Sequence, residues 1–245
     1  MPIADADGLE AAPWGSGPGV FFDLHEASPA RAEATRRAFC EGLGGLLRAE
    51  GVEPEPARAL AGEVCERMSA ADRHYHTPVH VLLILGQARR LGLELRSEDA
   101  LALWLHDNVF DPRAKPGISE EASARWVQER LPEVGVSERV ARRAAESIRW
   151  TARFLEPEVP AEHALVLDLD LAGLARPPAC FDKQSIAVRD EQPHLSDEEY
   201  QRWNLSLFET LLGRDRIYRS PECAPLEAPA RVNLERARER MHGSG

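Results

Sequence analysis

The chain has 245 residues, enough to bury the core of one domain. A hydrophobic fraction of 43% and a charged fraction of 29% are ordinary for a globular protein, which excludes a fibrous or wholly disordered class. A formal net charge of −11 argues against non-specific binding to nucleic acid or to an anionic membrane. Since no apolar stretch approaches the length of a membrane span, we expect a cytoplasmic protein.

Residues 1–29 are rich in Gly, Pro, Ala and acidic residues and show little periodicity. This composition predicts a mostly irregular N-terminal extension with one docked segment, "VFFDLH" at residues 20–25. The rest of the chain, residues 30–240, is predicted to form one helical domain. The boundary is placed where helical spacing begins.

Helical spacing continues through nearly every later segment, with Pro or Gly at intervals suited to short connections. Only "HALVLDLDL" shows strand-like alternation, so the predicted fold class is all-α. The predicted helices cover residues 30–49, 54–70, 78–91, 98–107, 119–131, 137–153, 161–175, 179–190, 196–212 and 226–240.

Two of these helices are apolar almost all round, those containing "VHVLLILGQARRLGL" and "EDALALWLHD". Such helices lie in the centre of a bundle rather than on its surface. Side chains with chemical roles on these two helices would therefore be held rigidly.

The stretch "RHYHTPVH" begins the first of these central helices. Thr77 is the predicted N-cap and Pro78 the first helical residue, which puts His80 in the first turn. His76 then lies just before the cap, where the helix dipole and free N–H groups favour an anion. His80 is thus suited to a metal and His76 to a phosphate.

Buried charge supplies the other candidates. His106 and Asp107 end the second central helix, and Asp168 and Asp170 lie in an otherwise apolar stretch. Two buried carboxylates without counter-charges are costly, and a metal ion would supply the missing charge. Two imidazoles with two carboxylates suit one divalent ion, Mn, Co, Ni, Fe, Zn or Mg, and the pattern does not choose among them.

The order H…HD…D resembles the signature of the HD superfamily of metal-dependent phosphohydrolases. Five segments in order, over residues 55–236, are similar to one predicted phosphohydrolase branch: "YHTPVH", "WLHDNVFDP", "SEEASA", "LDLDL" and "ARVNL". The resemblance implies an HD-domain-like helical bundle. It also implies the metal ligands His80, His106, Asp107 and Asp170, with Asp170 preferred to Asp168 because it directly precedes the Leu of the matched pair.

The resemblance further implies roles for neighbouring residues. His76 takes the general-acid or phosphate-contacting position, and Asp107 or a glutamate, Glu120 or Glu121, orients the attacking water. Arg73 and Arg189 are the candidates for neutralising phosphate charge. A second metal ion would need more histidines than this part of the sequence offers, where His163 is the one plausible extra ligand. A single metal ion is therefore expected.

The sequence also departs from that branch. Ser119 stands where the branch has Asn, and the later stretch keeps Arg189 and Glu191 while the Tyr and the Gly-Arg pair are missing at the matched positions. The predicted function is hydrolysis of a small phosphate ester, a nucleotide or related phosphomonoester. The alternative is a catalytically idle, metal-containing nucleotide-binding module. Oxidative chemistry at a di-iron centre is a third reading, for which the chain has few histidines.

The predicted partner is the small-molecule phosphate ester itself. No nucleic acid polymer and no membrane is expected, and a homodimer is left open.

Overall fold

The structure of the protein, a computed structural model, describes residues 22–242. This part of the chain contains ten α-helices, two 3-10 helices and no strand, so the fold is all-α. The α-helices are α1 (Pro29–Ala49), α2 (Pro54–Met68), α3 (Pro78–Arg90), α4 (Ser97–Leu105), α5 (Ile118–Glu133), α6 (Glu138–Thr151), α7 (Ala161–Asp170), α8 (Pro178–Asp190), α9 (Asp197–Leu212) and α10 (Glu227–His242). The 3-10 helices are Leu171–Ala175 and Pro221–Leu226.

The predicted helices correspond one to one with these elements, with ends that differ by a few residues. The main difference is in the segment predicted as one helix over 161–175. There α7 ends at Asp170, and the chain continues as the tighter 3-10 helix Leu171–Ala175. The strand-like alternation of "HALVLDLDL" lies within this helical segment. Most of its apolar residues are buried, and the segment contacts α3, α4 and α6 rather than a sheet.

The two apolar helices lie in the centre of the bundle, as predicted. Every residue of α3 from Pro78 to Leu85 is buried, and so is every residue of α4 from Asp99 to Leu105. Contacts to α1 and α7 are common to both helices. Each burial of a Leu or Ile side chain here contributes about 1.5–3 kcal/mol, so the packing of α3 against α4 fixes the ends of both helices.

Part of the predicted docked segment is seen packed against the start of α3. Phe22 and Leu24 are buried, and the Phe22 ring centroid lies 5.5 Å from that of Tyr75. Thr77 is the N-cap of α3: its Oγ1 accepts from the Val79 amide at 3.2 Å and donates to the Phe22 carbonyl at 2.8 Å. Val20 and Phe21, like the rest of the predicted extension up to residue 21, lie outside the described residues.

None of the helices in residues 22–242 is both long and apolar enough to cross a lipid bilayer.

Candidate metal centre

Two imidazoles and two carboxylates meet where the N-terminus of α3 faces the C-termini of α4 and α7. His80 and His106 point their Nε2 atoms at each other across 3.3 Å. Asp107 Oδ2 lies 2.8 Å from His106 Nε2 and 3.6 Å from His80 Nε2. Asp170 Oδ1 lies 3.2 Å and 3.3 Å from the same two nitrogens. The helix ends thus bring each of the two carboxylates against both imidazoles.

These separations match the edges of a metal coordination sphere. Ligand atoms about 2.1 Å from one ion lie about 3.0 Å apart in an octahedron and about 3.4 Å apart in a tetrahedron. The measured distances of 2.8–3.6 Å fall around both values. His80, His106 and Asp107 form a buried group that can hold a metal ion, and Asp170 lies close enough to both imidazoles to be a fourth ligand.

The hydrogen-bond chemistry of His106 supports a cation at this point. Its Nδ1 lies 3.1 Å from the Leu103 carbonyl oxygen, which can only accept, so Nδ1 carries a hydrogen. In the neutral ring Nε2 then has a lone pair, and it faces a carboxylate oxygen of Asp107 and another of Asp170. Asp107 Oδ2 is buried and makes no hydrogen bond in the described part of the chain. Acceptors facing one another require a proton or a metal ion between them.

In the absence of a metal ion, the pKa values of these four side chains favour a proton on His106. Burial lowers the pKa of His106, but Asp107 and Asp170 outweigh burial and hold it well above its usual value. Burial raises the pKa values of Asp107 and Asp170, but the adjacent imidazoles outweigh it and both carboxyls titrate well below their usual range. Burial keeps the pKa of His80 below its usual value. A divalent ion would replace the single proton that these groups share.

His80 differs from a typical metal-binding histidine in one respect. Its Nδ1 is buried and has no hydrogen-bond partner among the described residues, whereas ligating histidines usually donate that hydrogen to an oxygen. The ring is held by aromatic packing instead, with the Tyr75 centroid at 4.7 Å and the His76 centroid at 5.8 Å. Shape therefore fixes the orientation of His80.

The structure separates Asp168 from Asp170. Two residues along an α-helix turn by about 200°, so the two carboxylates of α7 face opposite ways. Asp168 is fully buried, and its Oδ2 accepts from the Arg219 amide at 2.8 Å, the Ser220 amide at 2.6 Å and Ser220 Oγ at 2.5 Å. Asp168 holds the loop before the second 3-10 helix, and of the two aspartates of α7 it is Asp170 that contacts the imidazoles.

His76 is paired with Glu191, a residue to which the sequence had assigned no role. His76 Nδ1 lies 2.5 Å from Glu191 Oε2. Glu191 Oε1 accepts from three successive backbone amides, those of His74, Tyr75 and His76, at 2.8–2.9 Å. One buried carboxylate thus shapes the loop before α3 and orients the His76 ring. The survival of Glu191 beside Arg189 in the branch-like stretch was the available signal.

This pairing controls the charge of His76. Burial lowers its pKa, but Glu191 and Asp107 outweigh burial and raise the pKa of His76 to about 9. The ring packs on Phe110 with centroids 4.4 Å apart. With Nδ1 directed at Glu191, Nε2 is the nitrogen left for a ligand, and a quarter of the side chain is exposed.

The two arginines predicted to contact phosphate bind backbone carbonyls instead. Arg73 is 5% exposed, and it donates to the carbonyls of His76, Asp107 and Asn108 at 3.0, 2.6 and 3.1 Å. It therefore joins the loop before α3 to the end of α4. Burial lowers its pKa despite the nearby carboxylates.

Arg189 is turned away in a similar manner. Its guanidinium donates to the carbonyls of Gln192 and Leu195 and to Asp197 at 2.6–3.0 Å, which closes the connection between α8 and α9. Each guanidinium therefore makes three hydrogen bonds within the chain, so both arginines have structural roles, and a phosphate contact by either stays a prediction.

The adjacent glutamates Glu120 and Glu121 also differ in their placement. Glu121 binds Arg149 of α6 through two contacts of 2.7 and 3.2 Å, so it joins two helices. Burial raises the pKa of Glu120, a hydrogen bond to its own backbone amide lowers it, and the charges of Asp107 and Asp170 raise it further, so its carboxyl is within electrostatic range of the cluster.

The serines of "SEEASA" hold the loop that follows His106-Asp107. Ser119 Oγ accepts from the Asp111 amide at 3.1 Å, and Ser123 Oγ accepts from the Val109 amide at 2.9 Å and donates to the Val109 carbonyl at 3.1 Å. Because the two serines are four residues apart on one face of α5, they bind alternate residues of an extended loop. Ser119 therefore acts through its hydroxyl, where the branch has an amide.

His163 lies apart from the cluster. Its Nδ1 is 2.9 Å from Ser147 Oγ, and its ring stacks on Trp150 with centroids 6.0 Å apart. Seven residues of α7 separate it from Asp170, a rise of about 10.5 Å. The structure thus does not bring His163 to the ion that Asp170 would bind.

No protein-family model matches the chain, and no curated protein matches it either. The all-helical architecture and the His80, His106 and Asp107 group are compatible with an HD fold.

Proposed function

We propose that the protein is a metal-dependent phosphohydrolase that acts on a small phosphate ester, a nucleotide or related phosphomonoester. The observation that carries the proposal is the convergence of His80, His106, Asp107 and Asp170 beside a histidine that is itself paired with a buried glutamate. Metal ligands alone would suit many functions. A protonatable imidazole next to them suits hydrolysis, because the leaving oxygen needs a proton.

When bound, a divalent ion at the four ligands would polarise a phosphoryl oxygen and activate water. His76 then donates a proton from Nε2 to the leaving oxygen, while Glu191 holds Nδ1 and stabilises the charged ring. Asp107 is one of the groups that raise the pKa of His76, so neutralising Asp107 would bring that pKa down from about 9 towards neutrality. That change suits an imidazole that must both donate and regain a proton.

Substrate access is proposed from the partly exposed side of the cluster. His80 and His106 are almost fully buried, whereas about a quarter of the Asp170 side chain and of the His76 side chain is exposed. Glu120 lies on α5 beside these residues. Its carboxyl, whose pKa is raised, can take a proton from the attacking water or hold that water in line.

The test is an assay of the protein stripped of metal and reloaded separately with Mn, Co, Ni, Zn, Fe and Mg. We expect phosphate release from at least one member of a nucleotide and sugar-phosphate panel. His76→Gln should lower kcat by about 100-fold or more while the bound metal content stays the same. The absence of release with every metal, beside an active control phosphatase, would contradict the proposal.

An idle nucleotide-binding module is the second candidate, favoured by the absence of the Tyr and the Gly-Arg pair of the similar branch at the matched positions. Under this alternative the metal-loaded protein binds a nucleotide tightly but releases no phosphate. His76→Gln would then alter nucleotide affinity, and neither the variant nor the wild type would release phosphate.

A further inference from the structure

Arg176 is a buried cation with no anionic partner in the part of the chain that the structure describes. It follows the 3-10 helix Leu171–Ala175 and is 8% exposed. Its Nη1 donates to Gln184 Oε1 at 3.0 Å, and its guanidinium carbon lies 5.1 Å from the Phe22 ring centroid. No ion pair and no second hydrogen bond of this side chain occurs within residues 22–242. By contrast, Arg73, also buried, donates to three carbonyls.

The polar ends of two other side chains lie beside this guanidinium. A Cβ atom at Gly173 would lie 2.8 Å from Gln184 Oε1 and 3.1 Å from the Tyr75 hydroxyl oxygen, so the glycine lets these two polar groups approach the backbone closely. The Tyr75 hydroxyl makes no hydrogen bond among the described residues. Burial and the surrounding carboxylates raise the pKa of Tyr75 to about 12, and Arg176 opposes that rise. The hydroxyl is therefore a hydrogen-bond donor at any ordinary pH.

This group of three side chains adjoins the metal centre. The ring of Tyr75 lies 4.7 Å from the ring of His80, and its hydroxyl points towards Gly173 and Gln184. Asp170 and Arg176 lie at the two ends of the same short 3-10 helix. Asn233 fixes that helix, since its Nδ2 donates to the carbonyls of Leu174 and Arg176 at 2.9 and 2.7 Å. The ring of Tyr75 thus lies between His80 and the group formed by Gln184 and Arg176.

We propose that Arg176, Tyr75 and Gln184 bind a second phosphate group of the substrate, while the reacting phosphate lies at the metal centre. A guanidinium with free hydrogens binds phosphate through paired hydrogen bonds, and the phenol and the amide add further donors. The anion supplies the charge that the protein omits. The substrate class would then be esters with at least two phosphates. That the bound phosphate belongs to a substrate rests on the proposed function, but the anion site itself does not.

The first experiment measures binding of inorganic phosphate to the metal-free protein by calorimetry. We expect Arg176→Met to weaken phosphate binding by about tenfold or more. Arg143→Gln, which removes an exposed arginine on α6, should leave binding unchanged. Equal binding by the wild type and Arg176→Met would overturn the proposal, and so would no binding to the wild type at millimolar phosphate.

A second variant guards against failure of Arg176→Met to fold. Gly173→Ala keeps every charge but places a methyl group against Gln184 and Tyr75. It should weaken phosphate binding severalfold, and unchanged affinity would count against the site.

The last experiment separates this inference from the proposed function. The metal-loaded protein is titrated with propane-1,3-diphosphonate, propylphosphonate and 3-phosphonopropionate, none of which is hydrolysed. The diphosphonate should bind more tightly than the other two in the wild type and lose that preference in Arg176→Met. Turnover without such a preference would overturn the anion site alone. The preference without turnover of any ester would leave the site standing and remove the proposed function.

Discussion

The two aspartates of α7, Asp168 and Asp170, show how the partners of a carboxylate indicate its role. Asp168 meets three donors that the fold has fixed in place, the Arg219 amide and both the amide and the hydroxyl of Ser220. Asp170 instead meets the imidazoles of His80 and His106, one of which faces it with a lone pair. One oxygen of Asp168, Oδ2, is thus satisfied by the chain itself, although Oδ1 is buried without a partner among the described residues. Asp170 instead needs a proton or a metal ion between it and the imidazoles. Asp168 thus has a structural role, whereas Asp170 belongs to the candidate metal centre.

The largest effect should come from Asp168→Ala. The substitution leaves three donors buried without an acceptor, which costs about 3 kcal/mol in the free energy of unfolding. Burial raises the pKa of Asp168, so part of the cost of holding its charge is recovered and larger losses are not expected. Urea unfolding of the metal-free protein measures the difference.

Asp170→Asn is the matched control for that measurement. In the metal-free protein it should cost less than Asp168→Ala, because the amide oxygen can still accept from a protonated His106 and about a quarter of the Asp170 side chain is exposed. Equal destabilisation by the two variants would show that the distinction between them is wrong.

Metal affinity should reverse the order of the two variants. Substituting residues that only support a ligand typically weakens affinity about 10–100-fold, so loss of a ligand in Asp170→Asn should weaken it by at least about 100-fold. Asp168→Ala should retain the metal under conditions where it is folded. Competition with a chromogenic chelator gives both constants. Wild-type affinity in Asp170→Asn would remove Asp170 from the ligand set.

The pairing of Glu191 with the loop before α3 should give an intermediate effect. Glu191→Gln keeps one oxygen for the amides of residues 74–76 but places an NH2 group against His76 Nδ1. We expect a loss of about 1–2 kcal/mol in the free energy of unfolding, with metal affinity changed little. Asp190→Asn, one residue away and exposed, removes the same charge and should be silent. If both variants unfold alike, net charge rather than the pairing is responsible.

The sequence predicted the helices well because their apolar spacing and their Pro and Gly punctuation are local signals. It also predicted His80, His106, Asp107 and Asp170 as one group, from buried charge in apolar helical segments and from the resemblance, which preferred Asp170 to Asp168. It could not predict how Arg73 or Arg189 is used, because the acceptors are backbone carbonyls that only the folded chain brings together. Glu191 was missed for the same reason, as it lies more than a hundred residues from the loop that it binds.

The smallest effect on the free energy of unfolding should come from Glu120 and Glu121 of α5. Like Asp168 and Asp170, they are two carboxylates of one helix with different partners. Glu121 is 43% exposed, so its pair with Arg149 contributes no more than about 1 kcal/mol, and Glu121→Gln should lose that much at neutral pH. The bond to Arg149 lowers the pKa of Glu121, so this stability is present above the unfolded-state pKa and is lost as the pH falls through the folded-state pKa. The difference from wild type should therefore vanish in acid.

Glu120 should behave with the opposite sign. Burial and then the charges of Asp107 and Asp170 raise its pKa, so the ionised carboxyl destabilises the metal-free fold as the pH rises through that pKa. Glu120→Gln removes the charge and should leave the metal-free protein at least as stable as wild type at neutral pH. Urea unfolding at neutral and acid pH compares the two variants. If Glu120→Gln lowers stability as much as Glu121→Gln does, both carboxylates stabilise the fold. Glu120 would then no longer be assigned to the site.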